Sequence, residues 1–118
     1  MKPTILLVED ELLLREMTAL DLEDLGYRAL CAQDGGHAWK QLTSGVPIGV
    51  LITDIRMPGD CDGWELARRA RALRPDLPVI YISGYSADAP QPVPGSIFLK
   101  KPYRLEEVQR ALAQLGVG

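Results

Sequence analysis

Cysteine and long apolar stretches are scarce in this sequence of 118 residues. The two cysteines, Cys31 and Cys61, form neither a C-x-x-C pair nor a zinc-binding spacing, which excludes the common redox and zinc motifs. A run of roughly 18 apolar residues and a signal peptide are both absent, which argues against a transmembrane helix and against export. We therefore expect a soluble, cytoplasmic protein with reduced thiols and no insertion into a membrane.

Basic residues are also fewer than acidic residues in this sequence. The chain has 13 lysine and arginine residues against 16 aspartate and glutamate residues, a formal net charge of -3. A nucleic-acid-binding domain would instead concentrate basic side chains on one face. The four arginines between positions 68 and 74 follow a helical stretch and are interpreted as a solvated helix face. We expect no nucleic-acid partner.

The length and composition predict one globular domain, residues 1–118. Hydrophobic residues make up 47% of the chain and charged residues 25%, which is ordinary for a folded domain of this size. There is no internal repeat and no linker composition. We expect no effector domain in this chain.

Five short apolar runs are separated by stretches with helical spacing, which predicts alternating strands and helices. The predicted strands are Thr4–Val8, Tyr27–Ala32, Gly49–Asp54, Pro78–Ile82 and Ser96–Leu99. Such alternation favours βαβ units with right-handed crossovers and a parallel sheet.

The intervening segments predict amphipathic helices. The first presents Leu14, Met17, Leu22 and Leu25 as its buried face and ends at Gly26. Further helices are predicted over residues 34–44 and 64–73, and after residue 104 with Leu105, Val108, Leu112 and Leu115 inward. Residues 85–95 hold prolines at alternate positions 90, 92 and 94, which permit at most one helical turn.

Polar and charged residues follow the predicted strands where each one ends. Glu9 and Asp10 follow the first strand, Asp54 ends the third, Ser83 follows the fourth and Lys101 comes after the fifth. In a parallel sheet all carboxyl ends lie on one edge, where open α/β sheets bind their ligands. These side chains should therefore converge.

The convergence predicts a site for phosphoryl transfer. Three neighbouring carboxylates repel one another, which raises carboxyl pKa values unless a cation intervenes. A hard divalent ion with oxygen ligands, most naturally Mg²⁺, resolves this repulsion. Asp54 could then act as a nucleophile that forms an aspartyl phosphate, with Lys101 and Ser83 contacting the phosphoryl oxygens.

At these positions the chain resembles the receiver domain of two-component response regulators. The resemblance rests on Glu9-Asp10, on residues 53–58 (Thr-Asp-Ile-Arg-Met-Pro), on Ser83-Gly84 and on Lys101-Pro102, and it covers the whole chain in order. It implies a flavodoxin-like (βα)5 doubly wound parallel sheet of strand order 2-1-3-4-5, with a shortened or missing fourth helix. It also implies a phosphoacceptor signalling domain of a phosphorelay rather than an enzyme.

The resemblance further implies a role for each residue that matches the family pattern. Asp54 would accept the phosphoryl group from a histidine kinase or phosphotransfer protein and would switch binding of an output partner that the sequence does not name. Mg²⁺ would be held by Asp10, Asp54 and the backbone carbonyl of Arg56, with Glu9 acting through water. Ser83, Lys101 and the backbone of Gly84 would bind the phosphoryl group. Ser83 and Phe98 would form the switch pair.

Two stretches depart from the family pattern. Residues 59–61 (Gly-Asp-Cys) add one residue after Pro58, which should re-shape the loop that follows the acceptor. The proline-rich segment after Ser83 is short, as in receivers attached to hybrid sensor kinases, so both a stand-alone receiver and a fragment of such a kinase fit.

Other interpretations stay open from the sequence alone. An acidic pair after a strand can cap a helix, Phe98 can be edge packing, and His37 is interpreted as a surface residue. A degenerate receiver could act only as a binding module. A haloacid-dehalogenase-like phosphohydrolase would need an acid two residues after the nucleophile, where this chain has Arg56.

Overall fold

A computed structural model describes residues 2–84 and 90–117. Five parallel strands form one sheet in the order β2-β1-β3-β4-β5. The strands are β1 Thr4–Val8, β2 Arg28–Ala32, β3 Val50–Asp54, β4 Val79–Ser83 and β5 Ile97–Lys100. The predicted parallel α/β fold and its strand order are confirmed.

Four helices in the described part of the chain connect and cover the strands. They are α1 Leu12–Asp24, α2 Gly35–Leu42, α3 Gly63–Leu73 and α4 Leu105–Gln114. Two of them begin at aspartates whose side chains accept a backbone hydrogen bond, Asp34 from His37 N and Asp62 from Glu65 N, each at 2.9 Å. These caps satisfy amide groups that the first helical turn leaves unpaired.

Each face of the sheet has its own apolar core. Side chains of α2 and α3 pack on one face with Leu6, Leu51 and Tyr81, and side chains of α1 and α4 pack on the other with Ile5 and Ile52. β3 and β4 are buried along their whole length, because both faces are covered. This arrangement explains why the sequences of those two strands are continuous apolar runs and do not alternate between apolar and polar residues.

The predicted inner face of α1 is partly wrong. Leu22 is buried and Leu14 and Leu25 are half-buried, but Met17 is 56% exposed. The buried side of the helix instead centres on Thr18 and Leu22. The physical reason is that leucines occur on several sides of this helix, so apolar spacing alone allows more than one inner face.

The segment between β4 and β5 forms no helix over residues 90–96. The prediction of at most one helical turn over residues 85–95 is thus confirmed for residues 90–95. Residues 85–89 lie outside the described residues. Val93 is buried, and its amide donates a hydrogen bond of 3.1 Å to the Tyr81 hydroxyl, whose ring packs on Trp64. Three prolines in alternation remove the amide donors that a helix would need.

The loop after β3 turns at Gly59, which has a φ of 95°. The Cys61 side chain is then buried against Gly35 at the start of α2, where any Cβ would overlap it. Both cysteines are free. Within residues 2–84 and 90–117, no helix is long and apolar enough to cross a bilayer.

Candidate functional site at the carboxyl edge of the sheet

Asp54 is the last residue of the central strand β3 and is only 6% exposed. Its Oδ1 accepts a hydrogen bond of 2.7 Å from the Ile55 amide, and its Oδ2 lies 2.9 Å from Lys101 Nζ. The strand ends here because Ile55 O accepts a 2.7 Å bond from the Gly63 amide. A Cβ on Gly63 would overlap the Asp54 carbonyl oxygen, so this close approach requires glycine.

Glu9 and Asp10 follow β1, the strand beside β3. Glu9 is 1% exposed; its Oε2 accepts a 3.1 Å hydrogen bond from the Glu11 amide, and its Oε1 lies 2.6 Å from Lys101 Nζ. Asp10 is exposed. Carboxylate oxygens of Glu9, Asp10 and Asp54 all lie within 4.8 Å of one another. The N-cap residue of α1 is Glu11, whose own side chain makes no capping hydrogen bond.

Lys101 joins these carboxylates to the other side of the sheet. Its backbone amide donates a hydrogen bond of 2.8 Å to Ser83 O, which extends the β4–β5 pairing by one residue. Its ammonium group then contacts both Glu9 and Asp54. The peptide bond between Lys101 and Pro102 is cis.

The charges at the site shift the pKa values of its buried groups. Burial raises the pKa of Glu9 to about 7, and the nearby Asp54 charge adds to this effect, although Lys101 and the Glu11 amide oppose it. Burial alone would lower the pKa of the Lys101 ammonium, but Glu9 and Asp54 outweigh it and raise that pKa overall. Lys101 is therefore a permanent positive charge at neutral pH.

A cleft of about 350 Å³ opens over these groups. Its lining residues are Glu9, Asp10, Glu11, Asp54, Arg56, Gly84 and Lys101. The candidate metal ligands are carboxylate oxygens, which suit a hard divalent cation better than a thiophilic one. One carboxylate is exposed to solvent and two are buried, so the residues fit a Mg²⁺ ion that keeps part of its water shell.

Most of the residues predicted from the strand ends lie together at this cleft. Ser83 ends β4 and is buried, but it is not among the lining residues. Phe98 lies in β5, paired in register with Tyr81, and its ring is 44% exposed. The structure thus brings Glu9, Asp54 and Lys101 into contact, while the proposed switch role of Ser83 and Phe98 stays a prediction.

One pair near the site was missed at the sequence level. The Tyr103 hydroxyl lies 2.7 Å from Thr18 Oγ1 on α1. The only signal in the sequence was the position of Tyr103 two residues after Lys101. Its partner is 85 positions away along the chain, a distance that local patterns do not bridge.

The fold and the cleft define a doubly wound α/β domain with an acidic pocket and one lysine at the carboxyl edge of its sheet. Residues 5–113 match the response regulator receiver domain family. The chain belongs to this family, which confirms the resemblance seen in the sequence. Receiver domains are signalling modules of two-component systems.

Several relatives are similar over nearly the whole chain. The response regulator receiver protein CpdR of Brucella abortus is 35% identical, with 94% of each chain covered. A crystal structure of a response regulator receiver protein from Sinorhizobium medicae is 39% identical, with a TM-score of 0.91 over 97% of this chain and 94% of that one.

A second kind of relative is a domain of a much larger protein. The crystal structure of the receiver domain from the hybrid histidine kinase CckA is 37% identical, with a TM-score of 0.80 over 95% of this chain and 98% of that one. The sensor kinase CckA of Brucella abortus is 32% identical over 95% of this chain, which spans only 12% of the kinase. Both stand-alone and kinase-attached receivers are therefore similar to this chain.

Proposed function

We propose that this chain is a phosphoacceptor domain of a phosphorelay and that Asp54 takes the phosphoryl group. The observation that carries the proposal is the position of the Asp54 carboxylate. It is buried at the end of β3, with one oxygen on the Ile55 amide and the other 2.9 Å from a charged lysine. Such a carboxylate is held in one orientation and opens onto a cleft large enough for a phosphoryl group.

A divalent cation is part of this proposal. Asp10, Asp54 and the backbone carbonyl of Arg56 would hold Mg²⁺ directly, and Glu9 would act through water. Support comes from the 4.8 Å cluster of carboxylate oxygens and from the placement of Arg56 at the same cleft. When bound, the ion supplies positive charge that neutralises the carboxylates and the phosphoryl oxygens.

The residues of the chain have separate tasks in the proposed transfer. An Asp54 carboxylate oxygen forms a bond to phosphorus while the bond from phosphorus to the donor imidazole nitrogen breaks, and the imidazole leaves with that electron pair. Lys101 is already 2.9 Å from Asp54 and would turn its ammonium group toward a phosphoryl oxygen. Ser83 and the Gly84 amide, at the adjacent strand end, would donate hydrogen bonds to the same group.

We also propose Ser83 and Phe98 as the pair that transmits the change to an output partner. Both lie on the β4–β5 side of the sheet, and the Phe98 ring is exposed enough to change its orientation without disturbing the core. A response in partner binding, rather than turnover of a substrate, is the expected output.

The phosphodonor is proposed to be a histidine kinase or a phosphotransfer protein, the partners with which receiver domains interact. An apolar stripe on α1 supports a docking surface beside the cleft. Leu13, Met17 and Leu20 follow helical spacing and are 65%, 56% and 62% exposed. The helix begins directly after Glu9-Asp10-Glu11, so this stripe starts next to the site.

A cytoplasmic location is also part of the proposal, and it fits the two unpaired thiols.

The test is to incubate the protein with acetyl phosphate and Mg²⁺ and to measure its mass. We expect a gain of one phosphoryl group that disappears when Mg²⁺ is removed with EDTA. A protein that gains nothing, and whose spectra do not respond to beryllofluoride, would instead be a passive binding module. Sustained hydrolysis of varied phosphomonoesters would indicate a phosphohydrolase.

A further inference from the structure

Two hydroxyl groups join the first helix to the loop that carries Lys101. Tyr103 OH and Thr18 Oγ1 lie 2.7 Å apart. Thr18 is a buried residue of α1, and the Tyr103 ring packs against the core between the sheet and helices α1 and α4. Thr18 is buried and Tyr103 is half-buried, so Thr18 without the Tyr103 hydroxyl would be left as a buried polar group without this partner.

The same loop is fixed on its other side by the sheet. The Lys101 amide donates to Ser83 O at 2.8 Å, and Pro102 restricts the backbone between Lys101 and Tyr103. The Arg104 amide donates to Glu107 Oε1 at 3.0 Å, which begins α4. The Lys101 backbone is therefore held on one side by its hydrogen bond to β4. On the other side it is held by the contact of the Tyr103 hydroxyl with α1.

The phenol of Tyr103 lies within electrostatic reach of the cleft. Burial raises its pKa, the Thr18 hydrogen bond lowers it, and the charges of Glu9 and Lys101 act on it in opposite directions. The phenol is thus neutral at pH 7 and adds no charge to the site. Any effect of its hydroxyl on the chemistry must pass through the position of its neighbours.

We infer that Tyr103 is a positioning residue for Lys101 through its hydroxyl contact with Thr18. The contact keeps the loop against α1, so that Lys101 Nζ stays 2.6 Å from Glu9 and 2.9 Å from Asp54. This inference rests on the proposed function, in which Lys101 contacts the transferred phosphoryl group. Loss of the contact would displace the ammonium group but would leave every carboxylate in place.

The test compares phosphoryl uptake from acetyl phosphate in Tyr103→Phe, Thr18→Val and the double variant. Each single change should slow uptake roughly tenfold, since small displacements of a catalytic group have effects of this order. The double variant should be no slower than the slower single one, because both changes remove the same contact. Mg²⁺ affinity, measured by titration calorimetry, should stay within about twofold of the wild type.

Two controls separate positioning from general damage. Tyr81→Phe removes another tyrosine hydroxyl bond, to the Val93 amide on the opposite face of the sheet, and should leave the uptake rate unchanged. In a Lys101→Met background, Tyr103→Phe should cause no further loss, because the group that it positions is gone.

Three results would overturn the inference. These are a wild-type rate in Tyr103→Phe, a further loss in the Lys101→Met background, and a parallel fall in Mg²⁺ affinity. If the wild-type chain itself takes up no phosphoryl group, the proposed function is wrong and the positioning role falls with it. If the wild type takes up a phosphoryl group and Tyr103→Phe does so at the same rate, only the positioning role is rejected and the proposed function stands.

Discussion

The carboxyl edge of the sheet and residues 90–96, the described part of the segment between β4 and β5, are held by different forces. At the edge, a buried aspartate and a buried glutamate share one lysine at 2.9 and 2.6 Å. In the described part of the segment, residues 90–96, the backbone is irregular and a few contacts attach it to Tyr81 and α3. Charge organises the first region, whereas two hydrogen bonds and the burial of Val93 hold the second.

The difference between the two regions shows which part of the molecule constrains the chemistry. Removing one partner of a buried charge pair leaves an uncompensated charge, which costs several kcal/mol. The segment tolerates three prolines in alternation because its backbone does not continue a helix or a strand. Changes at the edge should therefore alter phosphorylation, whereas changes in the segment should alter stability alone.

The largest expected effect is that of Lys101→Met, which removes the shared cation and keeps most of the side-chain volume. Phosphoryl uptake from acetyl phosphate should fall by roughly a hundredfold, the usual effect of losing one stabilising group for a developing charge. Mg²⁺ should bind at least as tightly, because Glu9 and Asp54 lose the cation that competes with it. Mass spectrometry of samples quenched at successive times would give the uptake rate, and calorimetric titration would give the Mg²⁺ affinity. Weaker Mg²⁺ binding by Lys101→Met would contradict this account.

The second largest expected effect is a dependence of the free energy of unfolding on pH in the metal-free protein. The pKa of Glu9 is about 7 in the fold and about 4.5 in the unfolded chain, so the folded state binds more protons between these values. The free energy of unfolding should fall by about 2 kcal/mol as pH rises from 5 to 7. Denaturant titrations in EDTA would measure this slope, and Glu9→Gln should remove it. A slope that persists in Glu9→Gln would assign it to another group.

A change outside the edge should affect function only when a protein partner is present. Leu13→Glu with Met17→Glu places two charges on the exposed stripe of α1. Transfer from a cognate phosphohistidine donor should fall about tenfold or more, as for interface anchors. Uptake from acetyl phosphate and the unfolding midpoint should stay near wild type, because these side chains face solvent. Equal losses with both donors would place the damage in the site itself.

The smallest functional effect is expected from Tyr81→Phe, a change in β4 that removes its hydrogen bond to the second region. The change removes the hydroxyl that accepts from the Val93 amide at 3.1 Å. Stability should fall by about 1–2 kcal/mol, since the amide is left buried without its partner. Phosphoryl uptake should be unchanged. Thermal denaturation and uptake rates together test this, and a slowed rate would mean that the segment also shapes the cleft.

The sheet and the site were predictable because chain connectivity constrains them. Parallel strands place Glu9, Asp54 and Lys101 on the same edge whatever the details of the helices. The sequence predicted that Mg²⁺ would neutralise the carboxylates, which stays a prediction, and it did not predict that Lys101 would contact Glu9 and Asp54 directly. Alternate prolines predicted at most one helical turn over residues 85–95, and the described residues 90–95 form none.

Other features could not be read from local patterns. The leucines of α1 allow several inner faces, and only packing against the sheet selects Thr18 and Leu22 over Met17. The contact between Thr18 and Tyr103 depends on the tertiary fold, because the two residues are far apart in the chain. The degree of burial of Glu9, and hence its raised pKa, has the same origin.

The most direct test of the central claim is to locate the phosphoryl group on the chain. After incubation with acetyl phosphate and Mg²⁺, borohydride reduction converts an aspartyl phosphate to homoserine, and peptide mass mapping then identifies the residue. We predict homoserine at position 54 in the wild type and no conversion in Asp54→Asn. Conversion at another aspartate, or a phosphoryl group retained by the Asp54→Asn variant, would contradict the account.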